Sequence, residues 1–266
     1  MKQVNAKLYN QKYFDFQSCS PDFSKKLKVS DFHKKYHEIS SLIDLSKSDH
    51  ICDYGCGNGD LSFLIYLKSK CKITAIDYSP DAIKICKSKL KQFKKNTDKN
   101  TNILFFNKNN EEVPRLKNIK AVFFCDVFEH LYQPEINLII NQISQWGNSQ
   151  IIIHTDNNIY LKLFSPIFNF LSLITGKNTF KKIKQENKFH QSRHVNLTNP
   201  RKLTKEMNKL HYNLVKIKYP EINKKIIELQ LGKLSKYSIL IKLSLNFIKL
   251  FPFLSPSFYA IYKKTI

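Results

Sequence analysis

The seven residues Asp53-Tyr54-Gly55-Cys56-Gly57-Asn58-Gly59 hold three of the six glycines in this 266-residue chain. Ile51 and Cys52 precede them, and Leu61, Phe63 and Leu64 follow at helical spacing. An apolar run, glycines at alternate positions and then a helical apolar pattern predict a strand, a tight turn and a helix. Without Cβ atoms, those glycines let a ligand approach bare backbone.

The same alternation continues along the chain. Strands are expected at about 50–54, 72–77, 102–106, 120–125 and 150–155, with helices at 60–69 and 80–94, the second opened by Pro80. A later helix starts at Thr198-Asn199-Pro200 and runs through Leu210, and Asn213 to Tyr219 and Phe258 to Tyr262 read as two more strands. Seven strands alternating with helices predict an α/β chain with a mostly parallel sheet and helices on both faces.

We read residues 1–266 as one domain, large enough to bury a core without disulfides. Residues 1–47 form an N-terminal arm and helix, 48–157 the core, 158–193 a cap insertion, and 194–266 a C-terminal part with a helical insertion at about 221–256. The aromatics of residues 1–29 (Tyr9, Tyr13, Phe14, Phe16, Phe23) follow no clean period and resemble an arm more than a core element. Phe32, Tyr36, Ile39 and Ile43 follow helical spacing and predict a helix that packs on the sheet or lids the ligand. Ile239 to Leu254 is too short for a bilayer span and contains Lys242, Asn246 and Lys249, so an amphipathic helix is expected there. It serves as a packing helix, a peripheral membrane contact or a lipophilic-substrate wall.

The glycine turn departs from the dinucleotide pattern Gly-x-Gly-x-x-Gly by one residue, because Gly59 comes early and Asp60 follows. Asp53 puts a carboxylate at the strand end, where it repels a pyrophosphate but attracts a cation. Asp77 closes the next strand, 24 residues after Asp53, and is placed to accept two ribose hydroxyls. The turn therefore suits a cationic nucleoside.

With Asp77-Tyr78-Ser79-Pro80, Glu111-Glu112-Val113-Pro114 and Asp126-Val127-Phe128-Glu129-His130-Leu131 in register behind that turn, the chain resembles a class I S-adenosylmethionine-dependent methyltransferase. It is similar to the small-molecule group that includes the ubiquinone-biosynthesis enzymes. The resemblance implies a Rossmann-like sheet whose final strand pair is antiparallel, S-adenosyl-L-methionine as cofactor and a small-molecule methyl acceptor. It puts Asp53, Tyr54, Gly55, Cys56 and Gly57 against the methionyl part and Asp77 on the ribose. Tyr78 packs on the adenine, Asn109 or Asn110 takes the adenine amino group, and Asp126 and Val127 lie beside the methyl-transfer region. Where the family usually has an aspartate for the adenine, this chain has those asparagines.

Methyl transfer from a sulfonium asks mainly for alignment, and a base helps when the acceptor is a hydroxyl. Glu129-His130 follows the fourth strand where similar enzymes have Glu-His, His154 ends the fifth, and His194 stands just before the late helix, where the resemblance implies a histidine, so these four are the catalytic candidates. His190 and His194 lie four apart with no third ligand identifiable, and no metal is expected. The sequence lacks an Asn-Pro-Pro-Tyr motif and a Pro-Cys nucleophile, which argues against nucleic-acid bases as acceptors.

The formal charge of +23 would suit RNA or an anionic membrane. Arg115, Arg193 and Arg201 are the only arginines, however, and the lysines are scattered, whereas specific phosphate and base contacts favour arginine. A small-molecule acceptor, most simply a hydroxyl on a lipophilic, isoprenoid or glycan-lipid compound, is the expectation. An RNA-modifying methyltransferase and a non-catalytic cofactor-binding module are the alternatives. Six cysteines with no Cys-x-x-Cys pair and no apolar leader at Met1 indicate free thiols in a cytoplasmic protein.

Overall fold

The computed structural model describes residues 4–17, 20–163, 193–220, 246 and 249–265. Its centre is a seven-stranded sheet, in which β1 (His50–Tyr54), β2 (Lys72–Asp77), β3 (Ile103–Asn107), β4 (Ala121–Cys125) and β5 (Gln150–Asp156) run parallel. β6 (Tyr212–Lys218) and β7 (Ser257–Lys264) close it, with β7 antiparallel to both β5 and β6. The order is β3-β2-β1-β4-β5-β7-β6. The expected fold, including its antiparallel final pair, is the observed one.

Six α-helices lie wholly within the described residues: α1 (Gln11–Gln17), α2 (Lys34–Ser40), α3 (Asp60–Ser69), α4 (Pro80–Asn96), α5 (Gln133–Ile143) and α6 (Pro200–Lys209). Local chemistry fixes their starts. Ser79 accepts a hydrogen bond from the Ala82 amide ahead of Pro80, and Asn199 accepts from Lys202 ahead of Pro200. Glu135 reaches back to the Tyr132 amide at 3.0 Å, which opens α5.

Neighbouring residues of each central strand feed opposite faces, as the pleat requires. Ile51, Ile73, Phe105 and Phe123 pack with Phe63 and Phe93 on one side. Cys52, Val122, Phe124 and Ile151 pack with Ile140 and Phe258 on the other.

Three features differ from the sequence reading. The stretch read as an arm is anchored: Val4, Tyr9, Phe14, Phe23 and Leu27 are buried, because aromatics spaced irregularly along the chain converge once it wraps over the sheet end. The helix expected around Phe32 to Ile43 is confined to Lys34–Ser40. Helix α5 has no counterpart among the predicted elements. Most of the cap insertion (164–192), most of the 221–256 insertion, His190 and Cys19 lie outside the described residues. The five described cysteines are free thiols. Among the described residues no helix is long and apolar enough to cross a membrane.

Candidate active site

β1 has β2 on one side and β4 on the other, so the chain order reverses beside it and a crevice opens at the carboxyl ends of these strands. The glycine turn lies in that crevice. Gly55 has φ 75° and Gly57 φ 52°, both left-handed. A Cβ on Gly55 would come within 2.5 Å of Val127 Cγ2, which locks the turn against the β4 end, whereas one on Gly57 would meet only Phe14 at 3.5 Å. Gly57 thus leaves its backbone bare toward the cavity.

Asp77 is buried, and its two carboxylate oxygens accept the Gly57 amide at 2.9 Å and the Ser79 amide at 2.8 Å. Burial raises its pKa and those amide bonds pull it back. Asp53 accepts from Ser62 Oγ at 2.6 Å. Burial, opposed by that hydroxyl and aided by Asp77, pushes its pKa up to about 7.

The crevice is a cavity walled by Asp53, Tyr54, Gly55, Cys56, Gly57, Asp77, Tyr78, Asp126, Val127 and His130. Nine of these are predicted cofactor residues. Asn109 and Asn110 are not in its wall. Asn109 donates its amide to the Tyr78 carbonyl at 3.2 Å, and Asn110 borders a separate groove beside Pro80 and Ile83. The arm closes the cavity with Tyr9, Tyr13 and Phe14, and α2 adds Lys35 and Tyr36.

A second cavity shares Tyr13, Lys35, Asp126 and His130 with the first, and Glu129, His154 and His194 line it with Asp156, Arg193 and Ser257. All four predicted catalytic residues therefore converge here. Asp126 sits at φ 58°, a left-handed position that an aspartate tolerates and that marks a constrained site. Its carboxylate accepts from the Lys35 ammonium, and its other oxygen lies 2.5 Å from His154 Nδ1. Burial alone would raise the Asp126 pKa, but Lys35 and His154 outweigh it and hold the group below the usual carboxylate range. With Nδ1 donating to Asp126, His154 Nε2 accepts from Ser257 Oγ at 3.1 Å.

The other candidates are differently occupied. Burial and the nearby charges of Asp126 and Asp156 push the Glu129 pKa well up, and its carboxyl accepts from Thr155 Oγ1 at 2.8 Å. His130 Nδ1 meets Tyr9 Oη at 2.9 Å, and burial with His194 lowers its pKa to about 4. His194 pairs with Asp156 at 3.3 Å and stacks edge-on against His130. Sequence reasoning missed Tyr9, Tyr13, Lys35, Lys108, Glu135 and Ser257, which carry no motif. Chain wrapping alone brings them to the cavities.

Residues 45–219 match the family described as a methyltransferase domain. No curated protein matches the sequence. Among solved structures, magnesium protoporphyrin IX methyltransferase from Synechocystis PCC 6803, with bound S-adenosylhomocysteine, is 12% identical at a TM-score of 0.59 over 98% of both chains. Geranyl diphosphate C-methyltransferase from Streptomyces coelicolor A3(2) is 12% identical at a TM-score of 0.56, covering 87% of this chain and 78% of that one. A cyclopropane synthase from Mycobacterium tuberculosis is 10% identical at a TM-score of 0.56, covering 86% and 83%. At these identities the neighbours speak for the fold, while the family match spans the turn, six of the seven strands and most of the residues that line the two cavities. The chain belongs to the methyltransferase-domain family and is a class I S-adenosylmethionine-dependent methyltransferase.

Proposed function

We propose that the chain methylates a hydroxyl of a small-molecule acceptor, with the cofactor in the glycine-turn cavity and the acceptor in the adjoining one. The observation that carries this reading is the shared wall. Lys35, Asp126, Tyr13 and His130 border both cavities, and His154 lies behind them in hydrogen-bond contact with Asp126 and Ser257.

The residues present fit S-adenosylmethionine. The bare Gly57 backbone admits a ligand that a Cβ would obstruct, Asp77 presents a buried carboxylate for ribose hydroxyls, and Asp53 supplies a latent negative charge for the cationic end. When bound, the cofactor supplies an electrophilic methyl group on a cationic sulfur. Tyr78 offers an aromatic face and Val127 an apolar contact. Asn109 and Asn110 are less well served, since neither borders the cavity.

On the acceptor side His154 is the base. Its Nε2 takes the acceptor's hydroxyl proton, either directly or through Ser257, while Asp126 holds the ring and stabilises the imidazolium. Lys35 keeps Asp126 ionised for that role. His130, with its depressed pKa and its bond to Tyr9, is better suited to positioning than to removing the proton. The second cavity carries both signs of charge and several hydroxyl and imidazole groups, which favours a polar head on the acceptor.

The test combines binding and turnover. Asp77→Ala is expected to weaken S-adenosylmethionine binding by ~1.5–3 kcal/mol in calorimetry, as loss of charged hydrogen bonds does. Incubation of cell extracts with methyl-labelled cofactor identifies the acceptor. His154→Ala should then bind cofactor normally and lose turnover at least ~100-fold. Near-normal turnover in that variant would remove His154 from the chemistry, and a carbon- or nitrogen-methylated product would remove the hydroxyl assignment.

A further inference from the structure

Between α4 and the turn that follows β3 lies a groove of about 500 Å³ that shares no lining residue with either cavity of the candidate active site. Lys84, Lys87 and Lys91 line it from one face of α4, three and four residues apart, beside the apolar Pro80 and Ile83. Glu111 is the one acid among the lining residues, and both its oxygens are engaged: Oε1 by the Lys87 ammonium and Oε2 by the Asn107 amide at 2.8 Å. Lys84 and Lys91 make no ion pair among the described residues. Asn107, also in the wall, supplies the observation that points to a ligand. Side chains of β3 alternate between faces, and Asn107 falls on the side of Ile103 and Phe105, which pack with Ile83 and Phe93 of α4. Its side chain is therefore directed toward α4. The residue is 3% exposed, its Oδ1 accepts the Asn109 and Asn110 amides at 3.1 and 3.0 Å, and its Nδ2 is buried with no hydrogen-bond partner. A carboxamide so placed holds N–H donors that the chain itself does not satisfy.

We propose that this groove binds the phosphate group of a small organic molecule, with Asn107 Nδ2 donating to a phosphate oxygen and Lys84 and Lys91 neutralising the charge. The site does not depend on the proposed cofactor and acceptor sites. A phosphate presents several acceptor oxygens to a wall whose remaining groups are donors, including the Ser88 hydroxyl, and the surface of Pro80 and Ile83 suits an apolar remainder. The turn that carries Asn107 also donates from the Lys108 amide to the Asp77 carbonyl at 2.9 Å and from Asn109 Nδ2 to the Tyr78 carbonyl at 3.2 Å, so the groove lies one turn away from the cofactor cavity.

Calorimetric titration of the full chain with phenyl phosphate and with inorganic phosphate, at fixed ionic strength, tests this without cofactor or acceptor. The wild type should bind both saturably and phenyl phosphate more tightly; equal affinities would overturn the organic remainder. Asn107→Asp keeps an oxygen for the two turn amides but replaces the donor with a carboxylate oxygen, so it should weaken phenyl phosphate about tenfold or more. Lys84→Gln combined with Lys91→Gln should weaken it about fivefold. Thermal melts confirm that the variants are folded. If Asn107→Asp is not, nitrogen-15 NMR of the wild type gives the second reading, because the side-chain amide signals of Asn107 should move as phenyl phosphate is added. No saturable binding by the wild type would overturn the site. So would binding that the lysine variant loses while Asn107→Asp binds normally or the Asn107 amide signals stay in place, since that pattern marks a solvated lysine face.

Discussion

Asp53 shows how one buried side chain couples the site to pH. Its carboxyl, pushed up to about 7 by burial, is half protonated near neutrality. A cationic ligand favours the ionised form, so binding releases a proton wherever the group is still protonated. Cofactor affinity should therefore rise with pH below about 7, by at most about tenfold per unit, and level off above it. Calorimetry at pH 6, 7 and 8 reads the slope, and Asp53→Asn should flatten it. A wild-type profile as flat as the variant's would detach Asp53 from the cofactor. The two turn glycines separate stability from binding. Gly55→Ala combines a left-handed φ with a clash on Val127 and should cost ~2–4 kcal/mol of stability by denaturant titration. Gly57→Ala meets little steric resistance, costs about 1–2 kcal/mol for its backbone conformation, and should show its main effect as weakened cofactor binding.

At the level of elements, the N-terminal segment changes meaning between sequence and structure. Its aromatics follow neither a helical nor a strand period, which made it read as an arm, yet Tyr9, Tyr13 and Phe14 form one wall of the cofactor cavity. The segment is tied down by Ser79 Oγ donating to the Tyr9 carbonyl at 2.7 Å and by Arg193 donating to the Leu8 carbonyl at 3.1 Å. Deleting residues 1–17 should leave the sheet folded and weaken S-adenosylhomocysteine binding by more than tenfold, equivalent to about 1.4 kcal/mol. Tyr9→Phe removes the hydroxyl that bonds His130 and Tyr78 and should cost about 0.5–1.5 kcal/mol in the same assay. Equal affinities for the deletion and the wild type would return the segment to the role of a loose arm. The strands and α3, α4 and α6 were legible because each carries its own apolar pattern, and Ser79 and Asn199 mark the starts of α4 and α6. Helix α5 was not read as an element, although Pro134 and Glu135 mark its start and Ile136, Ile139, Ile140 and Ile143 share its buried face.

For the whole molecule, the lysines behind the charge of +23 are scattered along the sequence, and the described ion pairs couple some of them to acids such as Asp98 and Glu111. Contacts of that kind to a polyanion are exposed and screened by salt. Binding to bulk RNA should fall ~10³–10⁵-fold between about 50 and 200 mM salt if it engages six to ten phosphates. Cofactor affinity, set inside a cavity, should change only slightly over that range. Methylation of RNA that persists at the higher salt would revive the nucleic-acid reading of the charge.

What the sequence determined by itself is whatever depends on neighbours along the chain: the alternation of strands and helices, the left-handed turn that needs glycine, and the carboxylates that end β1, β2 and β4. Nine of the eleven predicted cofactor residues line one cavity, since all nine sit at the carboxyl ends of β1, β2 and β4 or in the turns that follow them, which a parallel sheet must bring together. Tertiary structure alone decided the rest. Lys35 meets Asp126 across 91 residues and His154 meets Ser257 across 103, and no local pattern encodes a contact at that separation. The asparagines at 109 and 110 carried the signal of a family motif, but their turn is held by Asn107 Oδ1, which accepts both amides, and neither residue borders the cavity. Spacing along a sequence fixes which residues end a strand, and the packing of helices and arm around the sheet fixes which side chains they meet there.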